Sequence, residues 1–283
     1  MTARLRWRKF VNLLMFGVTA LFALGTVSVL FVILGYLVWH GGKDVNLAFL
    51  TQLPKPVGES GGGMANAIVG SGKLLLLALL MGVPIGVLTG VYLAEFGGKT
   101  FSFLVRYTAD LLNGVPSIVT GIFAYTVVVV PMRHFSTLAG GFALGVMTIP
   151  ITARSTEQFL RAVPLPLREA AMALGANRWR TVATVVLPAA ASGVITGVML
   201  ALARVAGETA PLLFTAFSNR FWSPGWSQPI ASLPVMIYTY AIGPYQSWHE
   251  QAWAAGLVLL GLVLMANIAA KLLLARRTAE AGR

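Results

Sequence analysis

An all-α, polytopic membrane protein of about six transmembrane helices is the fold class this sequence predicts, on three observations. Of 283 residues, 57% are hydrophobic and only 11% charged, where a soluble domain carries about 25% charged residues, and the mean hydropathy is +0.78. Several apolar runs reach or exceed the roughly 20 residues that cross a bilayer as a helix. Between two of them lies a polar, basic interruption, Glu169 to Pro188, patterned as helix, glycine turn and helix. Charge missing on this scale requires a solvent that does not demand it, and that solvent is lipid.

The first region, 1–63, comprises a basic tail, one transmembrane helix and an outer loop. Its opening, Arg4 to Lys9 followed by apolar residues, looks like a secretory signal. The apolar run from Phe10 to Trp39 is far longer than the ~7–15 residues of a signal core, and no small-x-small cleavage site precedes Trp39 to Gly42. It is expected to stay as the first span. Gly58 to Gly63 reads as a flexible linker. The second region, 64–283, begins with the span Ala67 to Ala94, where Gly82, Gly86 and Gly90 recur at fourfold spacing. Gly141 with Gly145 and Gly193 with Gly197 repeat that interval, which lets helices approach closely.

Next comes Tyr107 to Val130, interrupted by Asn113-Gly114-Val115-Pro116-Ser117. Broken backbone at membrane depth is tolerated where protein or a water-filled cavity surrounds it. Asn113 and Ser117 are therefore candidates for a pathway, with a simple kink as the alternative. Leu138 to Phe159 makes a fourth span, and Thr184 to Phe217 a fifth, taken as continuous. The loop from Asn219 to Glu250 interleaves tryptophans and tyrosines with prolines. It reads either as an aromatic belt at headgroup level or as a short interfacial helix, Leu233 to Ile242, that contacts an outside protein. The sixth span is Gln251 to Leu274.

Cations set the direction. Arg4, Arg6, Arg8, Lys9, Lys99, Arg106, Arg154, Arg161, Arg168, Arg178, Arg180, Lys271, Arg276, Arg277 and Arg283 fall on one set of termini and loops. Only Lys43, Lys55, Arg133 and Arg220 fall on the other. The positive-inside rule puts the first set, and both termini, in the cytoplasm. In a bacterium the expected location is the plasma (inner) membrane, because outer-membrane proteins are barrels. The net charge of +12 is accounted for by these loops, without nucleic acid.

Several chemistries are set aside. With no cysteine, disulfides, thiolate catalysis and zinc-thiolate sites are excluded together. Gly98-Lys99-Thr100 and Gly72-Lys73 mimic parts of a phosphate-binding loop, but Leu93 and Ala67 stand where its first glycine must be. No cofactor, ATP included, is expected to be bound by this chain. His40, His134 and His249 lie near the outer interface without a carboxylate cluster, so no metal site is assigned. No catalytic constellation is visible either, so the chain is not expected to be an enzyme.

Arg204 and Glu208 stand apart. In the fifth span each charge costs about 2.5–3.5 kcal/mol even on a lenient insertion scale. Their i, i+4 spacing puts them on one face, within pairing reach, and Pro211 loosens the helix just beyond. One reading is a structural ion pair. The other is a gate or anion pathway, with Thr209 alongside, because the planar guanidinium fork suits phosphate-like oxygens.

In the central loop, 161–188, Glu157 and Arg161 are placed to pair, and Pro164 and Pro166 end the helix before them. Leu167, Ala171 and Leu174 form a narrow apolar stripe. Gly175 permits a left-handed stop, and Asn177 can cap the next helix. Glu169-Ala170-Ala171, then Gly175 after three intervening residues and Leu187-Pro188 after eleven more, resemble the EAA motif of permeases in ATP-driven, binding-protein-dependent importers. Val185 stands where that family has isoleucine. LLNGVPSIVTGIFAY (111–125), IPITARSTEQFLRAVP (149–164) and RVAGETAPLLFTA (204–216) are similar to PstA-type permeases of the phosphate-specific importer.

The resemblance implies a type I ABC importer permease fold. In such a protein Glu169, Ala170, Ala171 and Gly175 dock on a separate ATPase that holds ATP and Mg²⁺. It further implies three partners: a second, PstC-type permease, a PstB-type ATPase dimer and an outside PstS-type phosphate-binding protein. Arg204 and Glu208 match the charged pair of that family's path. Import of another oxyanion, molybdate or sulfate, is the nearest alternative, and an ion-coupled secondary carrier a more distant one.

Overall fold

The computed structural model describes residues 3–56, 59 and 61–281, with side chains from 4 to 272. Gly58 and Ser60 of the expected linker and Arg283 of the tail lie outside the described residues, as do the side chains of Arg276 and Arg277. The chain is helical, in the order α1 (Ala3–Gly41), α2 (Leu47–Thr51), α3 (Ala65–Val91), α4 (Lys99–Gly114), α5 (Ser117–Ala124), α6 (Val130–Met132) and α7 (Thr137–Arg161). There follow α8 (Leu165–Ala173), α9 (Arg178–Thr181), α10 (Leu187–Ala206), α11 (Ala210–Thr215), α12 (Leu233–Ala241) and α13 (Gln246–Ala281). Wider π turns occupy Tyr92–Phe96, Tyr125–Val129 and Val182–Val186.

Four helical segments, Arg4–Gly41, Ala65–Phe96, Arg178–Ala206 and Gln246–Leu272, are long and apolar enough to cross a membrane. The bent pair Lys99–Gly114 and Ser117–Met132 makes a fifth. This is a multi-pass membrane protein. The expected fourth span is α7, whose 25 residues reach about 37 Å. It is less apolar than those four, and its polar residues Thr137, Thr148, Thr152, Thr156 and Glu157 are buried inside the bundle. Protein, not lipid, is the solvent of this central helix.

α3 and α7 run side by side in the same direction. A Cβ on Gly82 would lie 2.6 Å from Thr148, one on Gly86 2.7 Å from Thr152, and one on Gly90 2.6 Å from Thr156. The fourfold glycine spacing is thus a seam filled by threonines at the same interval. Gly193 and Gly197 of α10 receive Phe159 and Ser155 of α7 in the same way, with the direction reversed. α1 packs on α13 and otherwise faces outward.

Three apolar clusters stack along the bundle. One joins Phe49, Met64, Leu233 and Met236 at the end where α3 begins. One joins Leu74, Leu144, Val205 and Leu212 at mid-depth. The third joins Val91, Leu160, Val182 and Val186 at the end bearing α8 and α9.

Two expected spans are broken. Tyr107 to Val130 bends by 103° between α4 and α5, where Val115-Pro116 cannot continue a helix. The fifth span is not continuous as expected. α10 ends at Ala206, and Gly207 to Thr209 separate it from α11. Pro211 does more than loosen the helix. It removes the N–H that would bond the Gly207 carbonyl and sits instead in the first turn of α11. Pro164 and Pro166 likewise open α8, three residues after α7 has stopped at Arg161.

The Trp- and Tyr-rich loop is partly tied down. Residues 226 and 228 offer carbonyls to the first N–H groups of α7, Leu138 at 3.0 Å and Thr137 at 2.9 Å, and Lys73 Nζ donates to the Ser223 carbonyl at 2.8 Å. The expected short helix is present as α12. Its Tyr240 stacks on Trp248 at 4.7 Å. Burial pushes that phenol's pKa up, and the Arg220 charge opposes it.

Candidate functional site

Arg204 follows one turn after Leu200 and directly precedes Val205, a member of the mid-depth cluster, so it lies near the middle of the bundle. Its side chain is exposed on the surface of this chain. It lines a small recess with Leu112, Asn113, Val115, Thr120, Val146, Met147, Pro150 and Ile151. Asn113 is positioned by the last turn of α4, Thr120 by the first turn of α5 and Pro150 by α7. The structure therefore brings together Arg204 and Asn113, which the sequence separates by more than two spans.

Ser117 begins α5 on the other side of the bend, and Glu208 and Thr209 occupy the break after α10. None of these three lines the recess. The two breaks still meet, because α11 crosses α5 and a Cβ on Gly121 would come within 2.7 Å of Pro211 Cα. The structural ion pair that was one of two readings of Arg204 and Glu208 is not formed. Helix α10 ends before Glu208, so the i, i+4 geometry that would align the two is lost.

Among the described residues, Arg204, Glu208, Asn113, Ser117 and Thr120 have no side-chain hydrogen bond. A guanidinium at mid-depth without a partner is costly in lipid. Arg204 is chemically suited to bind an anion in a wet path or to meet a group from outside this chain. The fork of five N–H donors matches tetrahedral oxyanion oxygens as well as carboxylates.

At the far end of α7 the structure assembles a cluster that sequence reasoning caught only in part. Glu157 is 2% exposed and receives three arginines. Arg106 Nε lies 2.6 Å from Oε1, Arg161 3.0 Å from the same oxygen, and Arg154 2.7 Å from Oε2. Arg154 also meets Asp110 at 2.9 Å, while Arg106 and Arg161 donate to the Leu93 carbonyl at 3.1 Å and 3.4 Å. The Glu157–Arg161 pair was expected. Arg154, three residues before Glu157, was a legible neighbour; Arg106, 51 positions away on α4, carried no local signal.

The loop that follows matches its expected shape. Gly175 adopts φ +85°, where a side chain is strained. Asn177 accepts from the Arg180 N–H at 2.9 Å and caps α9. Around that turn Glu169, Ala170, Leu167 and Met172 are exposed, and Ala171 is half-buried. Leu174 is 90% exposed. The apolar stripe thus exposes Leu167 and, at the C-cap, Leu174, with Ala171 half-buried between them, on a helix whose alanines keep it slim. Two neighbours tie the loop to the bundle: Arg168 of α8 reaches Glu95 at 3.0 Å, and Trp179 of α9 stacks on Phe96 at 4.2 Å.

Known proteins share both sequence and architecture with this chain. Residues 82–279 match the family described as binding-protein-dependent transport system inner membrane component. The phosphate transport system permease protein PstA of Yersinia pestis is 47% identical over 241 residues, 85% of this chain and 82% of that protein. Its counterpart in Haemophilus influenzae is 43% identical over 270 residues, 95% of each chain. Among solved structures, an inward-facing conformation of the MetNI methionine ABC transporter matches with a TM-score of 0.59 at 21% identity, covering 75% of this chain and 96% of that one. An amino acid ABC transporter gives 0.53 at 16% identity, covering 77% and 92%. The fold is that of a type I ABC importer permease.

Proposed function

This chain belongs to the binding-protein-dependent transport system inner membrane family, and from that premise we propose that it is the transmembrane permease subunit of an ATP-driven phosphate importer. The observation that carries the substrate is the likeness to phosphate permeases over 95% of the chain. The protein forms half of the translocation path and performs no chemistry of its own. A separate pair of ATPase subunits holds ATP and Mg²⁺. A second, homologous permease supplies the other half of the path, and a phosphate-binding protein delivers substrate from outside. The chain lies in the bacterial plasma membrane with both termini in the cytoplasm, in keeping with its loop cations.

The residues then have distinct work. Leu167, Ala171 and Leu174 enter a cleft on the ATPase, with Glu169 anchoring the helix electrostatically and Gly175 supplying the turn. At mid-depth, Arg204 offers its donor fork to a phosphate passing through, or to a group of the second permease that controls the passage. Asn113 lines the same recess, and Ser117, Thr209 and Glu208 border the two broken helices. Exposed apolar residues on a polar, water-side loop support the docking role, because such a patch is stable only when covered. Transport follows as alternating access: ATP closure of the partner subunits biases one of two packings of the bundle, and hydrolysis restores the other.

The deciding experiment is isolation of the chain from its native membrane with whatever binds it, followed by ATP hydrolysis in liposomes. An ATPase is expected to co-purify, and hydrolysis is expected to rise with phosphate-loaded binding protein but not with molybdate or sulfate. Purification without any ATPase identifies an ion-coupled carrier and sinks the reading. Stimulation by another oxyanion alone reassigns the substrate.

A further inference from the structure

We infer that Glu95 is the joint through which displacement of the docking loop enters the membrane bundle, an inference that rests on the coupling role proposed for that loop. Glu95 sits in the π turn Tyr92–Phe96 that ends α3, and is 6% exposed. Both halves of the loop grip this point. From α8, the residue before Glu169, Arg168, places its Nη2 3.0 Å from Glu95 Oε1 and 2.5 Å from the Leu160 carbonyl at the end of α7. From α9, Arg178 donates to the Glu95 backbone carbonyl and lies over the Phe96 ring at 5.2 Å, while Trp179 stacks on the same ring. Both arms of the loop are therefore fastened to two adjoining residues, Glu95 and Phe96.

The fastening is incomplete in a telling way. Although Arg168 and Glu95 stand 3.0 Å apart as an ion pair, Glu95 Oε1 and Arg168 Nε are both buried without a hydrogen bond. A buried carboxylate oxygen and a buried guanidinium nitrogen left without partners cost stability. Glu95 itself belongs to one π turn, Tyr92–Phe96, and α8 packs against another, Val182–Val186; the looser hydrogen bonding of such turns suits local adjustment. From Glu95 the load passes directly into α3. The glycine–threonine seam then carries it to α7, since Gly82, Gly86 and Gly90 leave no gap against Thr148, Thr152 and Thr156. Glu95 is thus a positioning residue: it touches neither substrate nor nucleotide.

The test uses the complex isolated with its native partners and reconstituted in liposomes. Glu95→Gln is expected to keep the ATPase bound and its basal hydrolysis unchanged. Stimulation by the phosphate-loaded binding protein is expected to fall about tenfold, within the usual range for a coupling between two sites. Arg168→Gln breaks the same pair from the loop side and gives the same loss even where Glu95→Gln fails to accumulate, whereas Arg168→Lys retains most of the stimulation. The double variant loses no more than either single one, because both remove one joint. Full stimulation in Arg168→Gln, equal loss in Arg168→Lys, or additive losses in the double variant overturn the inference. A wild-type complex without ATPase or without a phosphate response counts instead against the proposed function.

Discussion

At the residue scale, two charges show how differently a membrane bundle treats its ions. Glu157 is fully satisfied by three guanidinia, and Arg204 is satisfied by none. Removing one member of a buried ion cluster leaves the rest uncompensated, at about 3–5 kcal/mol. Glu157→Gln is therefore expected to lower thermal stability in detergent, measured by loss of the monodisperse species on heating; an unchanged melting point would show that solvent already screens the arginines. Arg204→Gln should behave in the opposite manner. The protein should fold and insert normally while phosphate uptake falls about tenfold or more, as expected for a lost charge-assisted hydrogen bond. Uptake at the wild-type rate removes Arg204 from the path. Sequence alone singled out Arg204 because a charge among apolar residues is visible locally. It left open a pairing with Glu208 that a continuous helix would allow; α10 instead ends at Ala206, where Pro211 and the packing of α11 across α5 interrupt it.

At the element scale the seam between α3 and α7 is the least forgiving part of the bundle. Gly86→Val places a branched side chain where even a bare Cβ meets Thr152 at 2.7 Å. Overpacking of this kind costs about 1–3 kcal/mol, so the variant is expected to melt earlier and to accumulate less in the membrane; wild-type melting would mean that the two helices separate readily. The glycine interval was legible in the sequence, and so was the helix-turn-helix of the docking loop down to the positive φ of Gly175. Which helix fills the glycine groove was not, since a threonine repeat on α7 looks locally like any polar stripe. The continuity of the fifth span failed for a related reason. Hydropathy sums over a window, and a three-residue break between apolar segments barely lowers the sum.

At the scale of the whole molecule, the proposed orientation rests on charge rather than on shape. A topology reporter fused within 176–180 is expected to be active only as a cytoplasmic reporter, and one fused near Gly225 only as an external reporter. The reverse pattern would place the docking loop outside, away from any ATPase, and undo the proposed function. Composition, apolar run length and loop cations were enough to predict a multi-pass helical protein, and motif spacing was enough to indicate its family. Those signals are local: each residue contributes to them through its own affinity for lipid or water and its distance along the chain. The tertiary structure decided what proximity in space alone can decide. It joined Arg106 to Glu157 across 51 residues, brought Asn113 beside Arg204, and seated both arms of the docking loop on Glu95. Buried charges are governed by Coulomb and desolvation terms that act through space in a low-dielectric interior. A short window along the chain holds Arg154 and Arg161 beside Glu157, but not Arg106, nor the partners that meet at Glu95.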